Sequence, residues 1–324
     1  MNSGHRSPLS AIDETNFAGA LEAGALDPCL EYLRANETIS TEAAWLACRL
    51  GERLFYEGRD QEAVECGQLA FAAAANDNDV VHFCAWLFSN CGCYDAAAAA
   101  YERLLEQRPD WIEGYRHASG ALAVIGERER AIDLALTATA LAPTNFDFAY
   151  HAGCLMLEAA RRAEAAHYLT CAVALDPHHP HALRALSACY AVDRPADALS
   201  LALEAATLAP DDSELAIHAA ELLLRGGRFE EAVTLLETAV ARDPWHPTLW
   251  RLLSTVESQR DRVANAIAAI DRALQLAPKN AEYHLHRGHL LYRTGDFAEA
   301  AEAINRAAEF EPSSHAVSRA RLDL

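Results

Sequence analysis

The sequence of 324 residues predicts an all-α fold of stacked, antiparallel helix pairs. Three observations predict it. Prolines recur at a nearly constant interval, small residues recur at two fixed places between them, and glycines recur near the middle of each interval. A constant period of about 20–50 residues is typical of repeat architectures, in which each unit packs mainly against its neighbours.

The prolines mark the ends of the repeated units. Successive members of the series are 33 or 34 residues apart: Pro109, Pro143, Pro177, Pro210, Pro244, Pro278 and Pro312. Proline ends a helix because it lacks a backbone N–H and restricts the residue before it. The period therefore counts helical units, and it predicts starts at Ala44, Asn78, Ile112, Phe146, near Pro180, and at Ser213, Pro247 and Ala281.

Two places in each unit hold only small residues. The eighth place holds Gly51, Ala85, Ser119, Gly153, Ser187, Ala220, Ser254 and Gly288. The twentieth place holds Ala63, Ala97, Ala131, Ala165, Ala198, Ala232, Ala266 and Ala300. Small side chains let two helices approach closely. Each unit is therefore predicted to be a helical hairpin.

A glycine separates the two predicted helices in most units, at Gly58, Gly92, Gly126, Gly227 and Gly295. Glycine can take the left-handed conformation that closes a helix. An aromatic residue follows it in GRFEEA, GDFAEA and CGCYDA. The fifth unit has a shorter turn with Pro195, and the seventh has Asp261 and Val263 in place of the glycine and the aromatic residue. We expect these two turns to be weaker.

These features together resemble the tetratricopeptide repeat, and the resemblance covers residues 44–312. It implies eight repeats in a right-handed superhelical solenoid whose first helices line a concave groove. We further expect residues 1–12 to be disordered, residues 13–43 to form a helical N-terminal cap, and residues 313–324 to form a short capping tail. A stack needs a polar closing helix, and this tail is barely long enough, so a natural chain that continues past Leu324 stays an open alternative.

Composition limits the partners and the compartment. The chain has 47 acidic and 27 basic residues and a formal net charge of −20, which repels a nucleic-acid backbone. The sequence contains no apolar run of membrane-span length and no signal-peptide pattern at its amino terminus. Its nine scattered cysteines are typical of reduced packing thiols. We therefore expect a cytoplasmic protein that neither enters a membrane nor binds nucleic acid.

The sequence lacks the motifs of common catalytic and cofactor sites, such as a phosphate-binding glycine loop or an H-E-x-x-H pair. We therefore expect no enzyme activity, no cofactor and no bound metal. Three clusters are candidates for metal or redox sites. They are Cys91 with Cys93, His178 with His179 and His181, and His284 with His286 and His289. Their spacings do not complete a ligand set. We therefore interpret these cysteines and histidines as ordinary turn and loop residues.

The stronger signal lies on the first helix of each unit. Its second, fifth, sixth, ninth, twelfth and thirteenth places form one stripe, which the resemblance places on the concave surface. The residues expected to contact a ligand there are Arg49, His82, Trp86, Arg116, His117, Tyr150, His151, Arg184, His218, Arg251, His286 and His289. Arginine pairs with carboxylates, and aromatic residues supply apolar area. The alternative is that these residues only face water or one another.

We therefore expect an adaptor that binds a protein or peptide, including an acidic one, in its groove. One alternative is the substrate-recruiting arm of a larger enzyme such as a protein glycosyltransferase. Another is a scaffold that associates with itself. The histidines of the groove also predict that the affinity for the ligand changes in mild acid, since an imidazole changes charge near pH 6.5.

Overall fold

The computed structural model describes residue 12, residues 16–36, residues 38–315 and residue 319. Within these residues it contains eighteen α-helices and no β-strand, which confirms the predicted all-α class of helix pairs. The chain forms two compact units, Met1–Ala160 and Arg161–Leu324. Apart from residues 12, 313–315 and 319, the predicted disordered segment and the predicted capping tail lie outside the described residues. The boundaries of the predicted cap stay a prediction.

The first unit begins with two helices, α1 (Phe17–Glu22) and α2 (Leu26–Ala35), which pack against the helices that follow. Three antiparallel pairs come next, followed by one further first helix. They are α3 (Thr41–Tyr56) with α4 (Asp60–Ala73), α5 (Asn78–Asn90) with α6 (Tyr94–Gln107), α7 (Ile112–Val124) with α8 (Arg128–Leu141), and α9 (Phe146–Glu158).

The second unit begins with α10 (Arg162–Leu175), which is the second half of the sequence repeat that starts with α9. Four antiparallel pairs follow. They are α11 (Pro180–Tyr190) with α12 (Pro195–Leu208), α13 (Ser213–Arg225) with α14 (Phe229–Arg242), α15 (Pro247–Gln259) with α16 (Val263–Leu276), and α17 (Ala281–Thr294) with α18 (Phe297–Phe310).

The helix boundaries agree with those that the proline period predicts. The first helices from α5 to α17 begin at the seven predicted starts from Asn78 to Ala281. Helix α3 begins at Thr41 and not at Ala44, because the hydroxyl of Ser40 caps it by accepting the backbone N–H of Ala43 at 3.0 Å. Each proline of the series lies two residues after the last residue of a helix.

The small residues lie where two helices touch. Every residue of the eighth and twentieth places is buried, and each twentieth-place alanine has 0% of its surface exposed. A Cβ atom at Gly51 would lie 2.9 Å from Cδ2 of Leu87 and 3.2 Å from the carbonyl oxygen of Ala63. Contacts that short displace a neighbour, so the helix spacing depends on the absence of a side chain here.

The turns close in two ways. The five predicted turn glycines have φ between +68° and +88°, as expected for left-handed closures. Ala160 and Asp261 take the same conformation, each with φ of +59°, although a side chain disfavours it. In the fifth unit the N–H of Arg194 bonds to the carbonyl of Tyr190 at 2.9 Å. This shorter turn therefore closes without a left-handed residue in the described chain.

Two further expectations concern the whole sequence. All nine cysteines lie within the described residues and are free thiols, as the prediction of reduced packing thiols requires. Among the described helices, none has the length and the hydropathy of a membrane span.

Candidate functional site

The candidate site is the surface of the first helices. We call it the first-helix surface and define it as the second, fifth, sixth, ninth, twelfth and thirteenth places of α3, α5, α7 and α9 in the first unit and of α11, α13, α15 and α17 in the second. Consecutive first helices pack side by side, with α3 on α5, α7 on α9, α11 on α13, and α13 on α15. The outward places of these packed helices therefore lie next to one another.

The predicted contact residues all lie within the described chain and reach solvent. Four of them are exposed: Arg49, His82, Arg184 and His289. The others are half-buried: Trp86, Arg116, His117, Tyr150, His151, His218, Arg251 and His286. The structure brings them together in three kinds of local arrangement, which are an aromatic cluster, histidines packed inside the fold, and arginines with few partners.

The aromatic cluster joins α3 and α5 in the first unit. Phe55 meets Trp86 edge to face at 5.8 Å between ring centroids, and Phe83 lies 5.4 Å from Trp86 on its other side. Tyr56, which is 73% exposed, extends the cluster from Phe55 at 5.4 Å. Exposed aromatic groups of this size commonly mark interaction surfaces. Trp86, the predicted apolar anchor, lies at the centre of this cluster.

Two histidines of the first unit pack against other rings. His117 stacks on Tyr101 at 5.4 Å, and His82 meets Trp111 edge to face at 5.1 Å. Burial, followed by the charge of Arg116, lowers the pKa of His117. His117 is therefore a neutral ring in an aromatic stack. A smaller part of its imidazole is available to a ligand than the helical stripe indicates.

Three other histidines bond to serines of the preceding first helix. The Nε2 atoms of His151, His218 and His286 lie 2.9, 2.9 and 3.0 Å from the hydroxyls of Ser119, Ser187 and Ser254. Each hydroxyl donates its hydrogen to the carbonyl of a twentieth-place alanine at 2.7 Å. A serine has one hydrogen to donate. The imidazole must therefore donate from Nε2, which fixes its tautomer.

These three histidines are neutral at pH 7. Burial, and after it the charge of nearby arginines, lowers the pKa of each to about 4. The arginine is Arg116 beside His151, Arg184 beside His218 and Arg251 beside His286. The expectation that these imidazoles change charge in mild acid is therefore wrong, because desolvation and a neighbouring cation move the change to about pH 4.

Three arginines of the first-helix surface have weak internal partners or none, whereas Arg293 on the same surface lies 2.9 Å from Asp261. Arg116 lies 3.4 Å from Glu113, and Arg251 lies 3.8 Å from Glu282. Within the described residues Arg184 makes no hydrogen bond and no ion pair. By contrast, arginines outside this surface make ion pairs at 2.6–2.7 Å, such as Arg34–Glu65, Arg161–Glu164, Arg194–Asp197 and Arg228–Glu231. Arg116, Arg184 and Arg251 thus keep guanidinium donors for a ligand.

In the second unit a cavity of about 160 Å³ opens between α15 and α17. It is lined by Arg251, Thr255, Glu282, Leu285, His286 and His289. Three of the predicted contact residues therefore line one cavity. The cavity brings a cation, the carboxylate of Glu282, the apolar side chain of Leu285 and imidazole groups to one place.

Three of the histidines in the candidate metal clusters have other partners. The side chain of His179 caps α11 through Ala182, and His181 lies 3.7 Å from Asp212. His284 is buried, with Nε2 at 2.9 Å from the carbonyl of Pro278 and its ring stacked on Phe310. No group of three histidine, cysteine or carboxylate side chains within the described residues has the geometry of a metal site.

The sequence interpretation missed the serine–histidine bonds. A signal for them was present, because a serine at the eighth place is followed each time by a histidine at the sixth place of the next first helix. Where the eighth place is Ala220, the next sixth place is Leu252. The pattern of outward places on a single helix predicted only that these histidines face the groove. It could not predict their bonds to serines, because those bonds depend on how the next helix packs.

Comparison with known proteins supports the repeat assignment. A family model described as tetratricopeptide repeat matches residues 217–281 and 251–315. Residues 217–315 therefore carry tetratricopeptide repeats. A tetratricopeptide repeat protein from Parabacteroides merdae covers 76% of this chain and 97% of its own, with a TM-score of 0.59 at 13% identity. PilF of Pseudomonas aeruginosa covers 67% of this chain and 100% of its own, with a TM-score of 0.55 at 18% identity. These likenesses concern the fold.

Curated relatives match the tetratricopeptide repeats over part of their length. Human protein O-mannosyl-transferase TMTC1 is 31% identical over 127 residues, which are 38% of this chain and 14% of the relative. The peroxisomal targeting signal receptor of Komagataella phaffii is 34% identical over 71 residues, which are 22% of this chain and 12% of the relative. This chain therefore spans 12–14% of the length of these two relatives.

Proposed function

We propose that this chain is a protein-interaction scaffold that binds a segment of a partner protein along its first-helix surface. One observation carries the proposal. Side chains that interfaces favour, arginine and large aromatic residues, face solvent on the first helices, and the arginines keep unused donors. Similarity to a peroxisomal targeting signal receptor accords with recognition of a peptide by such repeats.

The proposal assigns no reaction, no cofactor and no metal to this chain, and it places the scaffold in the cytoplasm. Free thiols at all nine cysteines accord with a reducing compartment. The net charge of −20 favours a protein partner over nucleic acid. Within each unit, a concave first-helix surface and its occupation by a partner segment are parts of the proposal.

Affinity capture from a lysate of the native host tests the proposal. The parent chain is compared with the triple variant Arg116→Ala, Arg184→Ala and Arg251→Ala. A matched triple variant, Arg130→Ala, Arg228→Ala and Arg306→Ala, removes the same charge from two second helices and from the N-cap of a third. We expect a partner that the parent and the matched variant retain and that the first variant loses. Equal capture by all three proteins contradicts the use of these arginines.

A second candidate function is the recruiting arm of a larger enzyme. It is favoured by the similarity to a protein O-mannosyl-transferase over 127 residues. On this proposal the repeats hold the substrate protein while another domain or subunit carries out the transfer. The test is to isolate the native polypeptide and determine its mass and its stable associates. A transferase domain on the same chain or in a stable complex supports this function, and a chain that ends near Leu324 without such an associate contradicts it.

A further inference from the structure

An arginine, a buried serine and a histidine recur together along the first helices with a period of two repeats. The arginine takes the fifth place and the serine the eighth place of one first helix, and the histidine takes the sixth place of the next. We call each set an Arg–Ser–His station. In the described chain the stations are Arg116 with Ser119 and His151, Arg184 with Ser187 and His218, and Arg251 with Ser254 and His286.

The first helices that supply the histidines do not carry this cation. Their fifth places hold Tyr150, Ile217 and Leu285. Helix stacking does not need the set either, because Ala220 and Leu252 fill the equivalent places between α13 and α15, where both are buried. The helix pairs repeat once in every unit, whereas the Arg–Ser–His set repeats once in every two units. The longer period therefore belongs to the surface chemistry and not to the packing of the helices.

Within a station the serine hydroxyl and the Nε2 atom of the histidine are used in hydrogen bonds, whereas the arginine keeps donors for a ligand. The serine bonds to both a carbonyl and the imidazole, which holds the ring in place beside the arginine. The guanidinium of Arg184 has no ion pair within residues 161–315, and that of Arg251 is 3.8 Å from its nearest carboxylate. A guanidinium presents paired N–H donors that match a carboxylate. Each station can therefore receive one carboxylate.

The stations of the second unit set the spacing of the carboxylates. Arg184 on α11 and Arg251 on α15 are separated by α13, which packs on both helices. Packed helices lie about 8–10 Å apart, so two steps span about 16–20 Å. An extended chain advances about 3.3 Å per residue, so this distance corresponds to about five or six residues.

We propose that Arg184 and Arg251 bind two carboxylate side chains of one extended partner segment, with Asp or Glu residues about five or six positions apart. The inference rests on the proposed function, because it names the chemistry of the segment that the first-helix surface binds. Arg116 forms the same kind of station in the first unit, where it is expected to bind a carboxylate by the same contacts.

Selection from a library of random 16-residue peptides displayed on phage tests this inference. The parent, the Arg184→Ala/Arg251→Ala variant and the Arg228→Ala/Arg306→Ala control are each used as bait. The control removes two arginines that pair with Glu231 and Glu302 on second helices. Far-ultraviolet circular dichroism of the three baits verifies that each is folded. All four side chains lie at the surface or half-buried, so their loss leaves the helix contacts intact.

We expect the parent and the control to select peptides with acidic pairs five or six positions apart, and the variant to lose this selection. A selected peptide should bind about tenfold more weakly when one of its two acidic residues is changed to its amide, or when one arginine is removed. In the Arg184→Ala/Arg251→Ala variant the change to the amide should have little further effect.

Two other outcomes separate the inference from the proposed function. Peptides that bind without an acidic pair, or that bind the variant as well as the parent, overturn the paired stations and leave a peptide-binding scaffold. If no bait selects any peptide, the peptide-binding function itself is contradicted, and the inference fails with it.

Discussion

At the scale of single residues, the serine hydroxyls of the Arg–Ser–His stations resolve an ambiguity that the sequence leaves open. Histidines on an outward helical stripe resemble ligand contacts. In the structure His151, His218 and His286 instead donate to buried hydroxyls that already donate to a backbone carbonyl. Their first role is to join consecutive first helices, and their ring faces remain beside the arginines.

Removing one member of such a pair should cost more than removing both. Ser254→Ala leaves the Nε2–H of His286 without its acceptor, and we expect it to lower the free energy of unfolding by about 1–3 kcal/mol. Adding His286→Leu reproduces the natural combination of Ala220 and Leu252, so the double variant should recover most of this loss. Urea unfolding of the three proteins measures the effect. A double variant no more stable than Ser254→Ala contradicts this account of the pair.

The same histidines predict the sign of a pH effect on stability. Their pKa in the folded chain is about 4, below the ordinary value of about 6.5. Above about pH 6.5 both states are neutral and the contribution is fully present. As the pH falls from 6.5 toward 4, the unfolded chain takes up protons first, so stability is lost.

The Ser254→Ala/His286→Leu variant isolates this effect from the many carboxylates of the chain. We expect its melting temperature to fall less than that of the parent between pH 7 and pH 4.5, because it has one such histidine fewer. Thermal melts at matched ionic strength measure the difference. Identical pH profiles would show that His286 does not contribute to the loss.

At the scale of helices and turns, the sequence predicts most of what the structure contains. Prolines and small residues act locally, so they predicted seven helix starts and both buried places of every hairpin. The sequence did not predict the helix start at Thr41, which depends on the cap by Ser40. It also missed the serine–histidine bonds, because these depend on how two neighbouring hairpins stack and not on the periodicity of one helix.

The twentieth place provides a test of the hairpin packing. Ala232 on α14 has 0% of its surface exposed, whereas Ala241 on the same helix is exposed. Ala232→Arg should lower the free energy of unfolding by at least about 3 kcal/mol, since overpacking costs ~1–3 kcal/mol and a buried unpaired charge adds to it. Ala241→Arg should change it by less than about 0.5 kcal/mol. Equal urea midpoints for the two variants would contradict the packing register.

The turn after α9 provides a second test at this scale. Ala160 has φ of +59°, a conformation that costs a residue with a side chain about 1–2 kcal/mol. Ala160→Gly should therefore stabilise the chain by roughly 0.5–1 kcal/mol, after the greater freedom of glycine in the unfolded state is subtracted. Gly126→Ala, at the equivalent turn after α7, should have the opposite effect. Loss of stability in Ala160→Gly would show that the turn is not strained.

At the scale of the whole molecule, an acidic chain carries arginines at a regular interval of its sequence. The net charge is −20, yet Arg116, Arg184 and Arg251 recur at intervals of 67 or 68 residues, and none of the three has a carboxylate closer than 3.4 Å in the described chain. The general repulsion opposes nucleic acid, and the local cations attract individual carboxylates of a protein segment. The fold alone does not determine this function. The proposed function depends on the side chains of the first-helix surface.

Photo-crosslinking from defined positions tests the central claim most directly. A photoreactive phenylalanine analogue is placed at Tyr56 or Tyr292 on first helices, and at Ala99 or Ala268 on second helices, all of which are exposed. The proteins are irradiated in a lysate of the native host. We expect the same partner to be crosslinked from Tyr56 and Tyr292 and not from the two alanine positions. Crosslinks that form mainly from Ala99 and Ala268 would contradict binding on the first-helix surface.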